Sequence, residues 1–114
     1  MQKTDFFNVK GEGELGPMYS LPEFVVNLNE PDWPRYVRIK VILEARDKNA
    51  LKQIQGRTPQ IRDRIITTIR DKSVKDMENS QGLERLRVEL RQELDGILGD
   101  GRVVNLYFDG FVIQ

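Results

Sequence analysis

Residues 102–114 read RVVNLYFDGFVIQ, and this run decides the fold. It is rich in β-branched and aromatic residues, which are enriched in strands and are poor material for loops. No turn signal ends the run and no polar tail follows it, so we expect a structural strand rather than a frayed terminus. The run therefore predicts a β-strand in the middle of a sheet.

The apolar positions change face within this strand. Strict alternation puts Leu106 and Phe108 on one face and Phe111 on the other. Either both faces are covered there, or a β-bulge at Asp109-Gly110 shifts the parity by one residue. The bulge is the preferred interpretation.

Two shorter strands are predicted upstream. Residues 24–28 and, more clearly, residues 35–45 alternate between apolar and polar side chains, as half-buried strands of an antiparallel sheet do. Pro31 and Pro34 end the first strand, and the short linker predicts that the two strands pair as a hairpin. Trp33, between these prolines, is either an exposed contact residue or a lid over the sheet edge, and the lid is the preferred interpretation.

Helical periodicity fills the region before the last strand. Single apolar stripes predict helices that each cover something on one side. Their starts are marked by Asp47 or Asn49, by Thr58-Pro59, by Ser73 and by Ser80. Two strands, a run of helices and a final strand predict an α+β domain, with an antiparallel sheet of about three strands and the helices packed on one face.

The composition favours one soluble globular domain. The chain has 114 residues, 39% of them hydrophobic and 32% charged, with equal numbers of basic and acidic side chains. Residues 1–18 contain three glycines and Pro17 without sustained periodicity, which predicts a flexible linker before a domain at residues 19–114. No apolar run approaches the roughly 20 residues that span a bilayer, and the start lacks the hydrophobic core of a signal peptide.

The sequence offers little for catalysis. It contains no His, the commonest general base, and no Cys, which excludes disulfides and thiolate metal sites. The two glycine clusters lack the context of a phosphate-binding loop, and Asp95 and Asp100 lack calcium-loop spacing. Glu89 and Glu93 lie among arginines, as on a solvated helix face. We therefore expect no enzyme, no cofactor and no metal, because a carboxylate-based hydrolase would require acidic groups that converge in a pocket.

Charge is unevenly distributed along the chain. Residues 1–30 carry 2 basic and 5 acidic side chains, residues 31–75 carry 12 and 5, and residues 76–114 carry 4 and 8. Opposed charged surfaces would favour docking to a partner or to another copy, unless folding intermixes the charges. The basic stretch at residues 57–72 lacks aromatic residues for base stacking, so nucleic acid is not an expected partner.

Four segments, in order, resemble the flagellar basal-body-associated FliL family. They are YSLPEFVVNL at residues 19–28, RYVRIKV at residues 35–41, Gly82 leading to Leu86, and VNLYF to FVIQ within residues 104–114. The motif positions expected to be structural are Phe24, Val26, Asn27, Leu28, Tyr107, Phe108, Phe111, Val112 and Gln114. Members usually carry Thr-Glu where this chain has Asp109-Gly110.

The resemblance implies a non-enzymatic accessory protein of the bacterial flagellum. Members are single-pass inner-membrane proteins at the basal body, so residues 19–114 would be the periplasmic domain and residues 1–18 a juxtamembrane linker that follows the membrane helix. They associate with the MotA/MotB stator and support motility, chemotaxis or swarming. Their domain is similar to stomatin-type scaffold domains that form rings, which implies homo-oligomers around a stator unit. A generic stomatin-like membrane scaffold not tied to motility is the alternative.

This resemblance and the charge distribution together suggest self-association. We expect head-to-tail contacts between a basic surface and an acidic surface of neighbouring copies. The basic surface would be formed by Arg57, Arg62, Arg64 and Arg70, and the acidic surface by Glu84, Glu89, Glu93 and Asp95.

Overall fold

The computed structural model of the chain describes residues 15–114. Their elements are, in chain order, β1 (Met18–Ser20), β2 (Phe24–Asn27), β3 (Tyr36–Ala45), α1 (Lys48–Gly56), α2 (Thr58–Arg70), α3 (Val74–Met77), α4 (Ser80–Leu98) and β4 (Val103–Ile113). The strands form one antiparallel sheet, and the helices pack on one of its faces. The predicted α+β class is confirmed, with one strand more than the sequence indicated.

The sheet has a covered face and an open face. Alternate residues of β2 and β3 point toward the helices, and each helix directs its apolar stripe back at them. The core contains Phe24, Val26, Val37, Ile39, Val41 and Leu43 from the sheet and Ile54, Ile61, Ile65, Ile69, Leu86, Leu90 and Leu94 from the helices. We call the face that packs on the helices the covered face and the opposite one the open face.

β3 is the central strand of the sheet. One of its edges pairs with β2 and β1, and the other pairs with β4. The predicted hairpin is confirmed, since Phe24 of β2 lies opposite Ile39 of β3. The prediction that the last strand lies mid-sheet is wrong, because β4 pairs with β3 alone among the described strands. Exposed Tyr107 and Val112 occupy its open face, so the apolar run of β4 covers only one side of the sheet.

A β-bulge causes the change of face in β4. Val41 lies opposite Phe108 and Ile39 lies opposite Phe111, so one residue of β3 faces two of β4. Gly110 has a φ of 88°, a backbone conformation that favours glycine. The predicted bulge is therefore confirmed, and it brings Phe108 and Phe111 onto the covered face together.

A second irregularity lies near the start of β4. Val103 and Asn105 lie opposite consecutive residues of β3, which leaves Val104 outside the register. The Val104 carbonyl accepts a hydrogen bond from Nη1 of Arg91 on α4, at 3.1 Å. A side chain from the helix layer thus reaches the backbone of the edge strand.

β1 is the strand that the sequence did not predict. Met18 lies opposite Glu44, and the Pro17 carbonyl accepts the Ala45 N–H at 2.8 Å. Of the predicted linker at residues 1–18, residues 16–18 are thus bonded to the sheet, and residues 1–14 lie outside the described residues. So short a strand shows no periodicity of its own, and its conformation depends on contacts with β3.

Two of the predicted helix starts are confirmed. Asp47 caps α1 by accepting the Ala50 N–H at 2.8 Å. Ser73 and Asp76 form a capping box at the start of α3. In both places a short polar side chain satisfies a backbone N–H that the helix leaves free.

The other two helix starts are shifted by one residue. α2 begins at Thr58 itself, with Arg57 in the capping position and no side-chain cap. α4 is capped by Asn79 rather than by Ser80, because the Asn79 side chain accepts the Gly82 N–H at 2.8 Å. Both shifts leave the apolar stripes of the helices on the covered face.

Candidate interaction surfaces

Most of the residues predicted for self-association lie on two helices that touch. α2 carries Arg62, Arg64 and Arg70, and it packs beside α4, which carries the predicted acidic residues. Nη1 of Arg64 lies 2.6 Å from Oε1 of Glu93, so an ion pair joins the two sets within one copy. The predicted basic and acidic surfaces are therefore adjacent, and they partly neutralise each other.

Two of the predicted basic residues make contacts inside the domain. Arg62 donates to the Pro22 carbonyl at 2.7 Å, and its guanidinium lies 4.1 Å from the centroid of the Phe24 ring. Arg57 donates from Nη1 to the Ile97 carbonyl at 3.3 Å. Both side chains are thus positioned by their own chain.

The remaining acidic residues also have partners. Glu84 pairs with Arg87 at 2.8 Å, Glu89 pairs with Lys72 at 2.7 Å, and Oδ1 of Asp95 accepts the Gly101 N–H at 3.4 Å. Arg70 is exposed at the end of α2, and it makes no ion pair with another residue of the described part of the chain. Of the basic set, Arg70 is thus the charge most available to a partner.

Trp33 is presented to solvent on a fixed loop. Its side chain is 75% exposed, so the interpretation of Trp33 as a lid is wrong. Below it, the Leu28 N–H donates to the Arg35 carbonyl at 2.9 Å, and the Asn29 N–H donates to the Lys72 carbonyl at 2.8 Å. The two ends of the loop are thus held by backbone hydrogen bonds, and the exposed Trp33 offers a large apolar area of the kind found at the centre of protein interfaces.

Three apolar side chains of the open face lie near the base of this loop. Val25, Tyr36 and Val112 are 55%, 40% and 50% exposed. Val25 and Val112 are opposite Arg38 on its two sides, and Tyr36 is the next residue of β3 on the same face. We call Val25, Trp33, Tyr36 and Val112 the end patch.

Two acidic side chains near the α3–α4 corner, Asp76 and Glu89, are engaged by neighbouring groups. A concavity of about 230 Å³ there is lined by Asp71, Lys72, Asp76, Gly82, Arg85, Leu86 and Glu89. The Ser73 N–H donates to Asp76 at 2.8 Å, and this bond holds the pKa of the Asp76 carboxyl below its ordinary value. A carboxylate kept ionised in this way is unsuited to act as a general acid. Within residues 15–114, no group of three or more His, Cys, Asp and Glu side chains could hold a metal ion.

The nine family-motif positions divide between the core and the surface. Phe24, Val26 and Leu28 are buried, Phe108 and Phe111 are half-buried, and Asn27, Tyr107, Val112 and Gln114 are exposed. The backbone of Gln114 exchanges two hydrogen bonds with Tyr36, at 2.8 and 2.9 Å. The last residue of the chain thus continues the pairing of β4 with β3.

Glu44 is a site that the sequence analysis missed. It is 3% exposed, and it is the one buried charged residue in the described part of the chain. Oε1 accepts hydrogen bonds from Asn105 Nδ2 at 3.0 Å and from the Tyr107 hydroxyl at 2.7 Å, while Oε2 accepts the Gly16 N–H at 2.7 Å. The bond to Glu44 raises the pKa of the Tyr107 hydroxyl. The available signal was a carboxylate between two apolar residues at the end of the most regular strand.

The fold is thus an α+β domain with an open sheet face, an exposed Trp loop and internally paired charges. The family model described as "Flagellar basal body-associated protein FliL" matches residues 18–114. Over 102 residues the chain is 40% identical to the "Flagellar protein FliL" of Aquifex aeolicus (strain VF5). It is 28% identical over 97 residues to the "Flagellar FliL protein" of Caulobacter vibrioides (strain NA1000 / CB15N). The chain therefore belongs to the FliL family of flagellar basal-body-associated proteins.

The chain corresponds to part of these relatives. The Aquifex alignment covers 89% of this chain and 63% of that protein, and the Caulobacter alignment covers 84% and 47%. No helix within residues 15–114 is both long and apolar enough to cross a membrane. The matched region is thus the α+β domain described above.

Proposed function

We propose that this protein is a non-enzymatic accessory component of the flagellar motor that associates with the MotA/MotB stator and supports its activity in motility or swarming. The observation that carries the proposal is the match of residues 18–114 to the FliL family. In this proposal residues 19–114 are the periplasmic domain of a single-pass inner-membrane protein, and residues 1–18 link the domain to the membrane.

A contact function rather than a catalytic one is supported by the described surface. The carboxylates Asp76, Glu89 and Glu93 each have a hydrogen-bond or ion-pair partner at 2.6 to 2.8 Å. Carboxylates that already have such partners are poorly placed to act as a general base or to bind a cation. The exposed apolar side chains instead supply area that a partner could bury.

The end patch is the surface that we assign to partner contact. Aromatic residues are enriched among the side chains that dominate protein interfaces, and Trp33 and Tyr36 lie within four positions of each other. The patch lies at the start of β3, whereas Gly16 reaches the sheet at the end of β3. If residues 1–18 lead to the membrane, the end patch is on the side of the domain away from it, where a protein is the expected partner.

Co-purification from solubilised membranes tests the proposal. The protein should retain MotA and MotB in cells that contain the stator, and a stator-deleted strain controls for carry-over. Trp33→Ala should lower the retained stator several-fold, while Lys52→Ala, which alters an exposed residue of α1 outside both proposed surfaces, should not. Retention of membrane proteins without stator subunits would instead support a generic stomatin-like scaffold.

The same proposal includes self-association into a ring by the two charged helices. Because Arg64 and Glu93 pair within one copy, single charge reversals would also disturb the fold. The double variant Arg64→Glu with Glu93→Arg keeps the internal pair and exchanges the charges that a neighbour meets. Copies with this exchange should cross-link less to unaltered copies, because like charges then meet, and Arg70→Glu should weaken assembly by itself. Unchanged cross-linking in both experiments would contradict this arrangement.

A further inference from the structure

The carboxylate of Glu44 fastens the first described residues of the chain to the sheet. Its Oε2 accepts the Gly16 N–H at 2.7 Å, and its Oε1 is held by Asn105 and Tyr107 of β4 at 3.0 and 2.7 Å. The side chain thus connects the segment before β1 to β4, across β3. Because Glu44 is 3% exposed, its hydrogen bonds are shielded from water and are stronger than surface bonds.

The position of residue 16 has room only for glycine. A Cβ atom at residue 16 would lie 1.9 Å from the Ala45 carbonyl oxygen, a distance that no side chain can occupy. One residue later, the Pro17 carbonyl accepts the Ala45 N–H at 2.8 Å. The backbone therefore approaches the end of β3 as closely as a glycine allows.

The hold on residues 16–20 is mainly polar. Met18 and Ser20 are exposed, and Tyr19 is half-buried, with its hydroxyl 2.9 Å from Oγ1 of Thr58. Leu21 follows and is 1% exposed, so the permanent core of the domain begins there. A short segment with few buried apolar contacts is the kind that opens locally while the rest of a domain stays folded.

We propose that residues 16–20 form a strap, closed by Glu44, that can leave β3 without unfolding of the domain and so moves the point at which the domain holds the chain from Gly16 to Leu21. Residues 16–20 are already extended along β3, so their release adds no length. It replaces a fixed connection with a flexible segment that spans at most about 17 Å, at roughly 3.3 Å per residue. The release of the strap is a property of the domain alone. Its use as a flexible membrane tether, on which the domain can turn, rests on the function proposed above.

Hydrogen exchange on the purified chain tests the strap. In the unaltered protein, the amides of Gly16, Tyr19 and Ala45, which face the contact between the strap and β3, should exchange at least tenfold faster than that of Ile39, which faces β2. Gly16→Ala should speed the first group at least a further tenfold and leave that of Ile39 unchanged. Gly56→Ala is the matched control, since a Cβ there meets nothing within 4 Å.

A second variant keeps the test decisive if the first folds poorly. Glu44→Gln retains the size of the side chain but places an amide where the Gly16 N–H or the Tyr107 hydroxyl must donate. It too should speed exchange of the same three amides selectively. The strap is refuted if these amides exchange together with that of Ile39, or if neither substitution speeds their exchange.

A disulfide that holds the strap closed distinguishes the release of the strap from its use as a tether. A lock must hold the far end of the strap, where the Pro17 carbonyl accepts the Ala45 N–H at 2.8 Å. The chain has no Cys, so Pro17→Cys with Ala45→Cys should form a single closing disulfide. If the domain must turn on this tether, the locked protein should bind the stator but restore less than half of motility, with recovery on reduction. Full motility of the locked protein would refute the tether role, whereas failure of the unaltered protein to bind the stator would refute the proposed function instead.

Discussion

The same alternation of residues along the strands gives the two faces of the sheet opposite degrees of exposure. Val26 and Ile39 on the covered face are 2% and 1% exposed, while Val25 and Val112 on the open face are 55% and 50% exposed. Each face of a strand is determined by every second residue, so the core constrains only half of the positions in β2, β3 and β4. The other half is free to carry contact residues, and there this chain places three of the four residues of the end patch.

The largest expected effect comes from removal of residues 111–114, which belong to both faces. Phe111 and Ile113 are half-buried on the covered face, and Gln114 exchanges backbone hydrogen bonds with Tyr36. The loss of two half-buried side chains and of these bonds should cost about 5 kcal/mol, comparable to the whole stability of a small domain. Urea denaturation checks this, with Val112→Ala as the control for the open face. A truncated chain that unfolds at the original midpoint would show that the covered face does not depend on β4.

A pair of single substitutions compares the faces directly. Ile39→Ala removes a buried side chain from the covered face and should cost about 2–5 kcal/mol, because the cavity cannot close fully. Val25→Ala on the open face should change stability by about 0.5 kcal/mol or less. Urea titrations of the two variants give both free energies of unfolding, provided that the free energy depends on urea concentration with the same slope in each. Similar losses for the two variants would mean that the open face is covered in the free protein.

The cap at the start of α4 affects the covered face indirectly, because α4 packs on that face. Asn79→Ala deletes the side chain that accepts the Gly82 N–H, and it should cost about 1 kcal/mol, as loss of a helix cap usually does. Ser80→Ala, one residue on, should be nearly neutral, because Ser80 is inside the helix. Thermal unfolding of the two variants checks the difference. Equal melting temperatures would argue that α4 is fixed by its apolar stripe alone.

The smallest expected effect is the acid dependence of the helix layer. The Ala50 N–H and the Ser73 N–H lower the pKa values of Asp47 and Asp76 below their ordinary value of 3.8. A carboxylate with a lowered pKa in the folded state contributes stability above its unfolded pKa, and that contribution is lost as the pH falls through the folded pKa. The chain should therefore lose stability below about pH 4, and less of it in Asp47→Asn with Asp76→Asn. Identical pH profiles from pH 5 to pH 2.5 would assign the acid sensitivity to other groups.

The covered face could be predicted from the sequence, and much of the open face could not. The alternation in residues 35–45 identified β3, and the parity change near Gly110 identified the bulge, because both are repeats in one dimension. The edge position of β4 could not be predicted, since an apolar run is equally compatible with one or two covered faces. β1 depends on Glu44, which is 28 residues distant from Gly16, and such a contact has no periodicity.

The surfaces were the hardest part to predict, for the same reason. The charge counts identified Arg64 and Glu93 as candidates, but their mutual distance of 2.6 Å follows from the packing of α2 on α4. The exposure of Trp33 depends on backbone bonds from Leu28 and Asn29 to partners elsewhere. Sequence composition thus indicates which residues a surface contains, and tertiary structure determines which of them face a partner.

β4 also has a consequence for how copies of this chain can crowd together. An exposed edge strand can add strands from other molecules without limit, which is a common route to aggregation. Here the bulge at Gly110 bends that edge. In addition, Arg91 donates a hydrogen bond to the backbone carbonyl of Val104. Copies of this domain at high local concentration can therefore touch through their side chains while their sheets stay separate.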